Sequence, residues 1–247
     1  MNGTVLISVD KLDSILEMIE SDRPAAGIEA GLELLESEEL TAPQRSELAY
    51  ALGVGYFKSA SYKKSLQWLD RSKDDRRWLL SGYALQQIDE NEGAARAFAI
   101  ASRTIPEQKQ ESRLLQAQAL LMAEKPAAAA SRLDEILTDA VKEELEPEVL
   151  LSRGIAAQAA ENSKEARKWF QKLYEKYTDS DFAFEAAFYL IQVEESLGQI
   201  KKALEYAEWL KNNSSEQVWQ EIASEFLRRL HGHRRNQKGD LRNYDSI

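Results

Sequence analysis

Apolar side chains recur at steps of three and four residues along almost the whole chain, as in Leu12, Ile15, Leu16 and Ile19 and again in Leu114, Leu115, Ala119 and Leu120. At that period side chains return to one face of an α-helix, whereas a half-buried strand alternates every second residue. No convincing strand pattern occurs, so the expected fold is all-α. The prolines Pro24, Pro43, Pro106, Pro126 and Pro147 fall between periodic segments or just inside their starts, where a first helical turn tolerates a missing N–H. Thr41-Ala42-Pro43-Gln44 and Ser214-Ser215-Glu216-Gln217 both have the capping-box form, and Gly198 is suited to a left-handed helix stop. These signals predict about thirteen helices over 9–20, 24–36, 42–58, 61–73, 75–88, 91–104, 108–123, 126–139, 147–160, 163–177, 182–197, 199–211 and 215–231. Links of only a few residues make sequential helices antiparallel neighbours.

A repeat underlies the helices. A small residue opens the second helix of successive pairs at Ser65, Ala94, Ala129, Ala166 and Ala203, in steps of 29, 35, 37 and 37 residues. Twelve positions before each stand Gly53, Gly82, Ala117, Gly154 and Ile191, and four after stand Leu69, Phe98, Leu133, Phe170 and Ala207. Small residues let two helices approach, and a large one fills the adjacent hollow. The last pair departs at both places.

The register of Leu52-Gly53, Tyr56, Tyr62, Ser65, Leu69 and Ser72, and of Trp78, Gly82, Ala94, Phe98, Ala101 and Pro106, resembles the tetratricopeptide repeat. The stretch from Trp169-Phe170 through Tyr177 to Ala203 is similar to repeats of bacterial envelope-assembly members of that family. The resemblance implies a right-handed superhelical solenoid of antiparallel helix pairs. The expected organisation is a degenerate acidic hairpin over 1–45, five pairs over 46–214, a capping helix over 215–231 and a flexible basic tail over 232–247.

Catalytic chemistry finds little support. There is no cysteine, which excludes a disulfide scaffold and a cysteine nucleophile. The two histidines, His231 and His233, sit at the edge of the tail without a fixed acidic partner. No metalloprotease motif, phosphate-binding loop or nucleophile elbow occurs, and Gly53-Val54-Gly55 reads as close helix packing. Glu143, Glu144, Glu146 and Glu148, and the pair Glu194 and Glu195, lack calcium-hand spacing and are expected at solvated helix ends. Trp68, Trp169 and Trp209 are expected to pack against neighbouring hairpins. Neither a catalytic residue, a metal nor a cofactor is therefore expected.

A net charge of −10 argues against nucleic acid and anionic membrane as partners. Residues 1–40 hold ten acids and two bases, with Glu29, Glu33 and Glu36 spaced as one solvated helix face, while 226–247 hold six bases and two acids. No apolar run approaches the ~20 residues that span a bilayer, so membrane insertion is not expected. The expected compartment is the cytoplasm, or the periplasm if a leader once preceded Met1.

In the family that the chain resembles, first helices line a concave groove that holds a segment of a partner protein. The resemblance places Tyr50, Val54, Phe57, Leu79, Tyr83 and Gln86 there, followed by Leu114, Gln118, Leu121, Gln158, Phe188 and Gln192. Aromatic and aliphatic positions would bury apolar anchors, and the amides would pair with a peptide backbone. The lysine and asparagine clamp that some members use on chaperone carboxylates is replaced by Tyr50, Val54, Leu79 and Tyr83. The expected function is a non-catalytic scaffold for one or more proteins. Alternatives are an accessory subunit of a bacterial membrane complex docking through Arg228, Arg229, Arg234, Arg235, Lys238 and Arg242, and, less favoured, a helical-repeat RNA binder. Copies would self-associate through Phe182, Phe184, Phe188 and Trp209.

Overall fold

The structure, a computed structural model, describes the backbone of residues 2–21, 23–36 and 40–244 and the side chains of 11–21, 23–36 and 40–232. Among the described residues it is all-α. Helices α1 (Asn2–Glu20), α2 (Pro24–Glu36), α3 (Ala42–Lys58), α4 (Tyr62–Leu69), α5 (Arg77–Gln86), α6 (Asn91–Thr104) and α7 (Lys109–Met122) belong to one compact unit that ends at Ala123. Helices α8 (Pro126–Thr138), α9 (Glu146–Ala159), α10 (Ser163–Lys176), α11 (Asp181–Ser196), α12 (Ile200–Asn213) and α13 (Gln217–Tyr244) belong to a second, which begins at Glu124. Within each unit, helices that follow one another pack side by side, α5 on α6 and α11 on α12 for example.

The Thr41 capping box forms as expected, with Gln44 Oε1 accepting from the Thr41 N–H at 2.9 Å. The second box does not. Since α13 starts only at Gln217, Ser214 Oγ accepts from the Glu216 N–H at 3.1 Å and the Gln217 amide donates to Glu221. Three helix bounds also differ from expectation by more than two residues. The backbone is helical from Asn2, and α13 runs to Tyr244 where a flexible tail was expected. Once nucleated, a helix gains one hydrogen bond per residue and needs no apolar face to continue. His233 and the basic residues after it lie outside the described side chains. Helix α4 is short because residues 70–76 are drawn into a linker: buried Ser72 donates to the Ser46 carbonyl at 2.9 Å, and Ser46 Oγ accepts from the Lys73 N–H at 2.7 Å.

The helix pairs close where the small residues stand. A Cβ added at Gly53 would lie 2.6 Å from Leu69 Cδ2, at Gly82 2.4 Å from Phe98 Cε1, and at Gly154 2.3 Å from Phe170 Cε1. Ser65 adds a hydrogen bond, its buried hydroxyl donating to the Gly53 carbonyl at 2.7 Å. In the last pair the sizes change places. Ile191 on α11 and Ala207 on α12 are both fully buried in one cluster, so the volume is supplied from the opposite helix. The amino-terminal hairpin packs by the same device, with Gly55 of α3 closing on Ile28 and Gly31 of α2 on Leu52 and Leu48.

Five of the interhelix turns carry one residue at positive φ: Ala60 (53°), Asp89 (60°), Glu124 (55°), Glu161 (58°) and Gly198 (71°). They stand five positions before the small residues that open the second helices, and so repeat with the same steps. After Ala60, Asp89, Glu161 and Gly198 the next residue closes a six-residue ring at the helix end, as Ser61 N–H to Tyr56 O (2.8 Å) and Asn162 N–H to Ala157 O (2.9 Å). Four of these positions are not glycine, and a side chain there costs about 1–2 kcal/mol. Ala60→Gly is therefore expected to raise the stability of the first unit by about 0.5–1 kcal/mol after the added unfolded-state entropy is subtracted. Urea titration checks this, and an unchanged midpoint would refute it.

Two carboxylates expected at solvated helix ends are not solvated. Glu146, its side chain 12% exposed, bonds Lys176, lies 4.0 Å from Lys172 Nζ and accepts from the Tyr177 hydroxyl at 3.1 Å. Chiefly through the Lys176 hydrogen bond, its carboxyl is held below the usual carboxylate range. A lowered folded-state pKa adds stability above the unfolded value and loses it as pH falls through the folded one. Glu146→Gln is thus expected to melt below wild type at neutral pH and to lose less on acidification below about pH 4.5. Melting curves that run parallel at every pH would exclude the contribution. Glu194 is fully buried with no hydrogen bond to either oxygen, and Arg167 Nη1 stands 3.6 Å from Oε2. It lies three residues after buried Ile191, on the same side of α11, which is why it turns inward.

Candidate interaction surface

In the first unit the candidate positions are carried by α3, α5 and α7, with α3 beside α5. Tyr50 is half-buried, with the Arg76 guanidinium 4.6 Å from its ring centroid. Asp74 fixes that guanidinium through Nε at 3.0 Å and Nη2 at 2.5 Å, and the bond lowers the Asp74 pKa. Burial pushes the Tyr50 phenol up, against the pull of Arg76. Val54 packs on the core shared by α1, α2 and α3, and Phe57 meets the Tyr62 ring edge-on at 5.4 Å. Leu79 and Tyr83 rest on the cluster around Phe98, the two rings edge-to-face at 5.4 Å. Gln86 reaches across to α7, its Nε2 3.9 Å from the sulfur of Met122, while Gln118 and Leu121 are half-buried there.

Leu114 corrects the expectation. At 3% exposure it belongs to the core, because it shares the buried side of α7 with Ala117, three residues on. The residue that the sequence reading missed is Met122, 55% exposed at the end of α7 beside Gln86. Its position directly after Leu121, where the helix ends, was the available signal. Arg76 was missed too, since its contact with Tyr50 depends on the linker fold.

In the second unit α9 packs beside α11, and α11 beside α13. Gln158 is half-buried and its Oε1 is covered without a hydrogen bond. Phe188 does not face solvent freely: α13 lays Trp219 (6.0 Å) and Phe226 (5.8 Å) over it, and Glu195 beside it bonds Arg229. Gln192 remains half-buried on the same helix. The expected self-association aromatics are engaged inside the unit, Phe184 with Trp209 at 5.7 Å and Phe182 on the cluster around Phe170. Trp68, Trp169 and Trp209 are each half-buried against a core cluster, as expected. Glu29, Glu33 and Glu36 form the exposed face of α2.

Among the described residues no three His, Cys, Asp or Glu side chains converge, and no helix is long and apolar enough to cross a membrane. His231 is exposed. The polar groups on the candidate face are amides and phenols, suited to hydrogen bonding with a peptide and supported by apolar neighbours.

The apo form of RapI superposes with a TM-score of 0.70 at 12% identity, over 97% of this chain and 78% of that one. A tetratricopeptide repeat protein from Parabacteroides merdae gives 0.65 at 12% identity, over 91% and 92%. The chain has the tetratricopeptide-repeat fold. The same fold extends to a structure of Naa15/Naa10 bound to HypK-THB, with a TM-score of 0.53 at 16% identity over 91% of this chain and 34% of that one. No protein-family model and no curated protein matches the sequence. The tetratricopeptide fold accounts for the glycine-to-large-residue contacts and for the turn residue that recurs in register with them.

Proposed function

We propose that the protein is a non-catalytic scaffold that binds segments of partner proteins on the first-helix faces of its units. The observation that carries this reading is the set of half-buried Tyr50, Tyr83 and Leu121 on α3, α5 and α7, with Gln86 of α5 reaching exposed Met122 of α7. Large apolar groups beside amides can bury anchors and pair with a peptide backbone at once. The fold shared with a structure that is itself a protein complex supports it. The net charge of −10 favours a protein over a nucleic acid or an anionic membrane. The proposed compartment is the cytoplasm.

The test places a photo-crosslinking residue at Gln86 or Met122, and separately at exposed Lys63 on α4, in cells of the source organism. A partner captured from α5 and α7 but not from α4, and lost in Gln86→Ala/Met122→Ala, is the expected result. Capture only from α4, or capture insensitive to that double variant, would refute the face.

A further inference from the structure

The linker that shortens α4 leaves a notch of about 480 Å³ between α4, α5 and α6, lined by residues that the proposed binding face does not use. Its floor is apolar, with Trp78, Leu85, Ala97 and Ile100. Its rim is cationic, with Arg77 and Arg96 against a single acid, Asp70. Arg77 lies with its guanidinium 4.4 Å from the Trp78 ring centroid, and Nη1 donates to the carbonyls of Ser72 (2.6 Å) and Asp70 (3.3 Å). Its Nε is buried and donates to nothing. That leaves the guanidinium positive charge at the edge of the notch, held in place by the two carbonyls and the indole. Arg96 is 74% exposed and reaches Glu92 only at 3.8 Å, which leaves its charge available. Residues 58–77 carry seven bases and three acids in a chain whose net charge is −10.

We propose that the notch docks a short segment of a partner protein in which a large apolar side chain lies next to a carboxylate. The apolar group covers Leu85, Ala97 and Ile100, and the carboxylate pairs with Arg96 and with the charge of Arg77. A membrane or nucleic acid offers phosphates without that adjacent apolar side chain, and the chain's negative charge repels both.

The test is selection of a displayed random-peptide library on the full chain, followed by titration of the enriched peptides against the indole N–H resonances. The expected result is a motif with Asp or Glu within two positions of Leu, Phe or Trp. Such peptides move the Trp78 signal, assigned with Trp78→Phe, and bind about tenfold more weakly to Arg96→Glu and to the notch-filling Ser81→Phe. Changing the peptide's acid to its amide is expected to weaken binding as much. Arg96→Glu alters one exposed side chain, so it and the peptide swap carry the test even if Ser81→Phe fails to fold. The proposal is overturned if no peptide enriches, if the motif lacks an acid, or if binding ignores Arg96→Glu. It is equally overturned if phosphatidylserine vesicles or an oligonucleotide bind in an Arg96-dependent way while the peptides do not. Peptides that leave Trp78 unmoved and are lost in Gln86→Ala/Met122→Ala would overturn the notch and support the first-helix face.

Discussion

Gly154→Ile is expected to destabilise the second unit by about 3 kcal/mol, Phe170→Ala by about 3–5 kcal/mol, and the two together by less than Phe170→Ala alone. The single glycine change places a branched side chain where even a Cβ lies 2.3 Å from the Phe170 ring, between helices that cannot part without opening the cluster around Leu150 and Leu190. Phe170→Ala empties a fully buried site and removes the ring stacked on Tyr189 at 4.8 Å and 7°. The double variant copies the arrangement already present at Ile191 and Ala207, with the large residue on the first helix and the small one on the second. It does not rebuild the Tyr189 stack, so recovery is expected to be partial. Urea unfolding followed by tryptophan fluorescence measures all three. Strictly additive losses would show that volume across the helix pair is not shared.

Removing Arg167 is expected to cost nearly as much, by leaving a buried carboxylate without its cation. Arg167→Met destabilises by about 2–3 kcal/mol, toward the low side of the range for a broken buried pair because the arginine is 31% exposed. Glu194 is fully covered and neither oxygen accepts a hydrogen bond, so the guanidinium 3.6 Å away is its main compensation. Arg167→Met/Glu194→Met is expected to return to within about 1 kcal/mol of wild type or to exceed it, since apolar packing often equals a buried ion pair. A double variant as unstable as Arg167→Met would mean that the loss comes from the arginine's packing and not from the stranded charge.

The contrast between these two sites shows what reading the residues alone can reach. The spacing of Gly53, Gly82 and Gly154 before Leu69, Phe98 and Phe170 is visible in the chain, and the structure realises it as direct contact. The last pair looked like an exception because the pattern was one of residue identity, whereas the fold conserves volume across the helix interface. Among the candidate positions, Gln86 and Leu121 are half-buried. Leu114 is buried on the side of α7 that also carries Ala117, and Phe188 is covered by Trp219 and Phe226 of α13.

By itself the sequence determined the helices, most of their ends and the hairpin period, because apolar spacing, caps and prolines act within a few residues of the backbone they direct. Tertiary structure decided which half-buried side chains remain accessible, which glutamates are buried and where a linker opens a notch. Those outcomes depend on partners 12 to 39 residues away, such as Ser65 to Gly53 and Lys58 to Ile19, and burial is a property of neighbours that no local spacing encodes.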